Sequence, residues 1–172
     1  MTLDDARSLL ATLITVPWAD PRAVELRRRM DVEMLARYSA PPVRKTGDVD
    51  GALTVDPANV IATVLVLDPD GTAIAHGAVQ RKRADAKVAD IEVKRVFVDP
   101  AARGRGAGRA LMLELERIAR ETDASRLILQ TGDRQPEAVS LYESLGYTPI
   151  PVYEPYGEAI PFSLCFAKPL TL

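Results

Sequence analysis

The segment Arg103-Gly104-Arg105-Gly106-Ala107-Gly108-Arg109 constrains this chain more than any other. It follows an extended apolar run, Val96-Phe97-Val98, and opens a helical pattern beginning near Gly108. Glycines there let the backbone turn tightly and approach a ligand without side-chain obstruction. A helix starting at that point leaves its first amide N–H groups unpaired. Those donors, with the positive end of the helix dipole, favour an anion such as a pyrophosphate. Arg103, Arg105 and Arg109 add charge that can be matched to phosphate oxygens. The segment therefore reads as a diphosphate cradle set between a strand and a helix.

Composition bounds the rest. At 172 residues, the chain is most simply a single domain, 1–172, large enough to bury a full core. A net charge of −2 provides no global field to recruit nucleic acid or an anionic membrane. The basic triplets Arg27-Arg28-Arg29 and Arg81-Lys82-Arg83 read as solvated faces. One cysteine, Cys165, excludes an intramolecular disulfide and a cysteine-based metal cluster, and no metal is expected. The first residues carry Asp4, Asp5 and Arg7 and do not read as a signal peptide. No run approaches the roughly 20 apolar residues that span a bilayer. The expected setting is cytoplasmic, without a membrane partner.

Periodicity predicts the elements. Residues 3–15 read as a helix with an apolar stripe, and no strand is expected ahead of it. A second helix begins at Asp20-Pro21, a cap followed by proline at the first helical position, and runs to about Tyr38. Residues 40–59 read as loop with one short strand around Leu53–Val55. Strands follow at Val60–Leu67 and Thr72–Gln80, joined by Asp68-Pro69-Asp70-Gly71, and at about Val88–Val98. A helix over 107–122, a strand over 126–131 and a helix from Pro136 to about Leu145 come next. Two final strands fit 147–152 and 162–168. The expectation is an α/β (α+β) mixed sheet of six to seven strands with helices on both faces.

Two motifs then converge. Arg103-x-x-Gly106-x-Gly108, between a strand and a helix, resembles the acetyl-CoA motif of the GNAT superfamily of N-acetyltransferases. Ser140-Leu141-Tyr142-Glu143-Ser144-Leu145-Gly146-Tyr147, one helix and one strand later, resembles that superfamily's second signature. A lone glycine run is weak evidence, whereas the two signatures in order are specific. The resemblance covers 60–168, read as the acetyl-CoA-binding core, with 1–40 as a helical segment on the substrate side. It is similar to a bacterial branch of poorly defined substrates.

The resemblance implies an acetyl-CoA-dependent N-acetyltransferase acting on a small amine by direct attack on the thioester. Two alternatives stand beside it, a protein N-terminal or lysine acetyltransferase and a noncatalytic acyl-CoA sensor. It further implies that the pantetheine arm pairs with Phe97 and Val98 and the pyrophosphate with residues 103–109. Homodimerisation is common in the superfamily.

Tyr142 is the candidate general acid, because an unperturbed phenol has a pKa near 10 and the departing thiol one near 8.5. On periodicity alone Tyr142 packs in the core. Glu92 is the candidate base, at a place where some members carry a catalytic glutamate; its other reading is an exposed strand residue paired with Lys94, Lys82 or Arg83. Alternation places Glu92, Lys94, Val96 and Val98 on one face unless a bulge intervenes. His76, the one histidine, reads as a strand residue satisfied by its neighbours. Tyr153 and Tyr156 are expected to rim the acceptor site, and Arg134 is a candidate for a substrate carboxylate. Gln135 stands where the family often has asparagine.

Overall fold

The computed structural model describes residues 11–82 and 90–170. Seven strands form one mixed sheet in the order β1-β2-β3-β4-β5-β7-β6. They are β1 (Thr12–Val16), β2 (Val60–Leu67), β3 (Ala73–Arg81), β4 (Ile91–Val98), β5 (Arg126–Gly132), β6 (Thr148–Ile150) and β7 (Ser163–Pro169). All neighbours are antiparallel except β4 and β5. Five α-helices accompany them: α1 (Pro21–Ser39), α2 (Val49–Leu53), α3 (Ala107–Arg120), α4 (Pro136–Ser144) and α5 (Tyr156–Ala159). The mixed sheet with helices on both faces matches the expectation.

Apolar patterning explains the layers. β2 is apolar on both faces: Val64 and Val66 join the core under α3, while Leu65 joins Ala23, Leu26 and Phe97 under α1. Gly77 in β3 admits α3 at close range, since a Cβ there would lie 2.9 Å from a Leu115 methyl and 3.2 Å from a Leu111 methyl. The β2–β3 turn is held by the Asp68 carboxylate, which accepts from the amides of Asp70 and Thr72. Asp20 caps α1 by accepting from the Arg22 amide, with Pro21 in its first turn.

Three expectations are corrected. Thr12–Val16 is a strand, not the end of a helix, and it pairs with β2 from Thr12↔Leu67 to Val16↔Thr63. Four of its five residues are β-branched, which suits a pleated strand better than a helix; the earlier part of the expected helix lies outside the described residues. β1 therefore covers the outer edge of β2. The short strand expected near Leu53–Val55 is replaced by α2, because Asp48 accepts from the Gly51 amide and caps a helical turn instead. The third correction is in β4. Its register against β3 slips between His76↔Phe97 and Ala78↔Lys94, and Arg95 adopts φ 59°. This bulge breaks the alternation: Val96 and Val98 pack toward the α3 core, while Glu92 and Lys94 face the other side, toward α5.

Candidate functional site

Parallel pairing of β4 with β5 ends at Val93↔Leu129. Beyond it the strands separate, and among the described residues the β4 backbone from Lys94 to Val98 has no partner strand on that side. Two cavities open from this split. The smaller, about 260 Å³, lies between the end of β4, the start of α3, α4 and α1. The larger, about 1020 Å³, lies between α1, α2, the bulge of β4 and the end of β5. Val96, Gln135 and Tyr142 line both, so the cavities meet there.

The smaller cavity presents backbone at the loop and first turn of α3. Gly104 and Gly106 adopt φ 77° and 83°, a left-handed conformation that glycine takes without penalty. Gly106 caps α3 with no side-chain hydrogen bond, so the first-turn amides remain free for an anion. Gly108 lets α3 approach: a Cβ there would lie 3.2 Å from a Leu141 methyl. Phe97, Val98, Arg103, Ala107 and Arg109 line it beside these glycines, and α1 and α4 close it with Met30, Glu33, Met34 and Leu141. The arginines divide their duties. Arg103 donates to the Val98 carbonyl at 3.0 Å and to both Glu33 carboxylate oxygens at 3.0 and 2.8 Å, so it ties the loop to α1. Arg105 donates to the Ala101 carbonyl at the surface. Arg109 is exposed at the rim. The uncapped amides and left-handed glycines fit a pyrophosphate.

Tyr142 stands where the cavities meet. Its ring packs edge-on to Tyr147 and tilted on Phe166. Burial pushes its hydroxyl well above the ordinary phenol value, so it stays protonated. No hydrogen bond from that hydroxyl is found among the described residues. The packing and chemical readings of this residue are thus compatible: the ring serves the core, and the hydroxyl is left for a ligand.

Glu92 is buried, not exposed, and lines neither cavity. Tyr153 and Tyr156 donate to its Oε1 at 3.0 and 2.8 Å, and Gln80 donates to its Oε2 at 2.9 Å. Lys94 Nζ donates to the Tyr156 hydroxyl at 2.5 Å and lines the larger cavity. Tyr153 and Tyr156 therefore do not rim that cavity as expected; they cover Glu92 from behind. Burial pushes both hydroxyls up, reinforced by the Glu92 charge, and burial pulls the Lys94 ammonium down.

His76 is fully buried and satisfied. A guanidinium can only donate, so Arg27 donates to Nε2 at 3.0 Å, and Nδ1–H donates to the Arg95 carbonyl at 2.9 Å. Burial holds its pKa down at about 4. This neutral histidine pins the β4 bulge and is no base. Arg134 donates to the carbonyls of Arg37, Ala40 and Pro42 and lines neither cavity, so the structure turns it into a strap on the end of α1 rather than a carboxylate ligand.

Sequence reasoning missed Lys94, Arg27, Trp18 and Tyr38 in the larger cavity. One signal was available: a lysine within Ile91-Glu92-Val93-Lys94, in a strand flanked on both sides by others, enters the interior. Gly132 is fixed by Tyr38, whose hydroxyl would lie 1.7 Å from a Cβ at that position. Among the described residues, no helix is long and apolar enough to cross a membrane, and no group of three His, Cys, Asp or Glu is placed to hold a metal.

Comparison with known proteins agrees with this geometry. The model of the acetyltransferase (GNAT) family matches residues 20–147. An IAA acetyltransferase from Azospirillum brasilense is 39% identical over 106 residues, 62% of this chain and 67% of that protein. A mycothiol acetyltransferase from Beutenbergia cavernae is 32% identical over 115 residues, but the matched region is only 38% of that protein's length. A proposed acyl-CoA N-acyltransferase structure from Klebsiella pneumoniae superposes with a TM-score of 0.74 at 26% identity, covering 94% of this chain and 99% of the other. A Salmonella typhimurium structure, solved with acetyl-CoA, shares the fold with a TM-score of 0.64 at 19% identity, covering 94% and 95%.

Proposed function

The chain belongs to the acetyltransferase (GNAT) family, and from that premise we propose that it moves an acetyl group from acetyl-CoA to the primary amine of a small molecule. The observation that carries this reading is the meeting of the two cavities at Val96, Gln135 and Tyr142. The smaller cavity suits the cofactor: uncapped α3 amides take the pyrophosphate, and the unpaired edge of β4 at Phe97 and Val98 takes the pantetheine amides. Residues 60–168 supply most of this part, with α1 closing it. The larger cavity suits the acceptor.

Acetyl-CoA brings the electrophilic thioester. The amine nitrogen forms a bond to the acetyl carbon, the carbon–sulphur bond breaks, and the sulphur leaves as a thiol with the proton the amine gives up. Tyr142 donates a hydrogen bond to the departing sulphur. Its raised pKa makes it a constant donor and a poor source of a fully transferred proton. Glu92 lies behind Lys94 and Tyr156, so it acts through them, as the charge that holds Lys94 in the wall. The separate proton that an entering ammonium sheds to become the neutral nucleophile passes to water in the open larger cavity.

The wall chemistry counts against a lysine-bearing peptide as acceptor. Arg27, Arg28, Arg44, Lys94 and Arg95 line the larger cavity, against Asp31 and Asp50. The hydroxyl of Tyr142 at the junction supports turnover over mere binding. Calorimetric titration with acetyl-CoA, followed by an amine screen read as thiol release, tests the proposal. Micromolar binding and amine-dependent release are expected. A folded protein that binds neither acetyl-CoA nor longer acyl-CoAs sinks it.

A further inference from the structure

Resting on the acetyltransferase reading, we propose that the acceptor is an amine carrying a carboxylate on an apolar body, and that Lys94 and Arg27 take the carboxylate. Three cations, Arg27, Lys94 and Arg95, line the larger cavity. Lys94 and Arg95 are neighbours in β4, and Arg95 Nη2 donates to the Arg27 carbonyl at 3.3 Å. The Arg95 charge repels both Arg27 and Lys94, while Asp31 attracts Arg27 and Glu92 attracts Lys94. The other basic residues of the cavity have carboxylate partners: Arg95 pairs with Asp31, Arg44 with Asp133 and Arg28 with Glu25.

Arg27 and Lys94 have no carboxylate within ion-pair distance among the described residues. The Arg27 guanidinium stacks on the Trp18 ring, 3.7 Å from its centroid. It gives one N–H to neutral His76 and one to the Trp18 carbonyl, which leaves the rest of its planar fork unused. Lys94 is 7% exposed and reaches Glu92 only through the Tyr156 hydroxyl. That one carboxylate also attracts Lys82, whose ammonium sits 3.5 Å over the Tyr153 ring. The cluster therefore carries surplus positive charge. Ionised groups out of bulk water are normally matched by a partner, and here an anion on the ligand supplies it.

The remaining walls fix the rest of the molecule. Met30, Met34 and Phe162 make apolar surface, and at the rim Leu35 and Val43 stay 71% and 72% exposed. An apolar body on the acceptor covers them. The cations also tune the nucleophile: an ammonium entering this field loses its proton more readily, while a carboxylate on the same molecule offsets the repulsion and permits entry.

The test uses the full chain saturated with CoA. Calorimetry compares 3-phenylpropanoate, which has the carboxylate and no amine, with phenethylamine, which has the reverse. Thiol release from acetyl-CoA is read with L-leucine, L-methionine, L-phenylalanine and phenethylamine. The carboxylate is expected to bind at least about tenfold more tightly than the amine, as a charge-assisted hydrogen bond implies. Lys94→Met is expected to remove about that tenfold and leave CoA affinity unchanged. Arg27→Lys keeps the charge but loses the planar fork, and is expected to weaken the carboxylate less. Equal or tighter binding of phenethylamine, no binding of 3-phenylpropanoate, or an unaffected Lys94→Met overturns the proposal. A wild-type chain that fails to bind CoA overturns instead the reading on which the proposal rests.

Discussion

The two cavities that meet at Tyr142 are made of different material. The smaller has a backbone end, with glycines at positive φ, free amides at the start of α3 and an unpaired strand edge. The larger is a surface of side chains brought from α1, α2, β4, β5 and the segment before β7. A backbone site depends on local conformation, so a short motif can encode it. A side-chain site depends on distant elements and can change its ligand without changing the fold.

The comparison breaks first at Gly106. Gly106→Glu places a side chain at φ 83° and a carboxylate at the site proposed for the pyrophosphate. Acetyl-CoA affinity is expected to fall about a thousandfold by calorimetry, from strain plus like-charge repulsion. An unchanged affinity would mean that the loop is only a connector. Behind the larger cavity, His76 holds Arg27 and the Arg95 carbonyl, and its folded pKa is about 4 against 6.5 in the unfolded chain. The unfolded state therefore binds the extra proton first. Stability is complete above pH 6.5 and is lost as pH falls from there toward 4, by up to about 3 kcal/mol. Denaturant unfolding across that range, with His76→Gln as the reference, reads this effect; identical slopes for both chains would deny the histidine that role.

Smaller effects sharpen the picture where the cavities join. Tyr142→Phe keeps the ring packing and is expected to lower kcat by about ten- to a hundredfold with CoA affinity unchanged. A loss of CoA affinity without a change in kcat would make the hydroxyl a cofactor contact only. Glu92→Gln is expected to reduce turnover by less than about tenfold, because a direct base would cost about a hundredfold or more. A loss of that larger size would return Glu92 to the role of base. Arg134→Ala should leave acceptor KM unchanged and lower stability by about 1 kcal/mol or less, because the Ala40 and Pro42 carbonyls it releases are exposed and water replaces the guanidinium there. A rise in KM alone would restore it as a substrate contact.

Much of the sheet was legible because β2, β3, β5 and β7 carry long apolar runs with turn residues between them, and Asp20-Pro21 marks the start of α1. β1 was not, because five residues next to leucines fit a helical stripe and a strand equally, and only pairing with β2 decides between them. Tyr142 was legible through its signature, but its two-sided position was not. The bulge at Arg95 was invisible: Val93-Lys94-Arg95-Val96 contains no glycine, and the positive φ goes with contacts from residues far away in sequence, His76 on the carbonyl and Asp31 on the guanidinium. That one residue moved Glu92 and Lys94 to the face opposite Val96 and reversed the expected roles of Tyr153 and Tyr156.

By itself, then, the sequence determined the strand–loop–helix cradle, the family and the cofactor it implies, since these rest on backbone conformations that a few glycines and a strand-to-helix switch dictate locally. Only the tertiary structure decided which charges meet in the acceptor wall. Arg27, Lys94, Arg95 and Asp31 come from two elements that the chain joins only through packing, and their pairing is a property of distances in space that no spacing along the chain encodes.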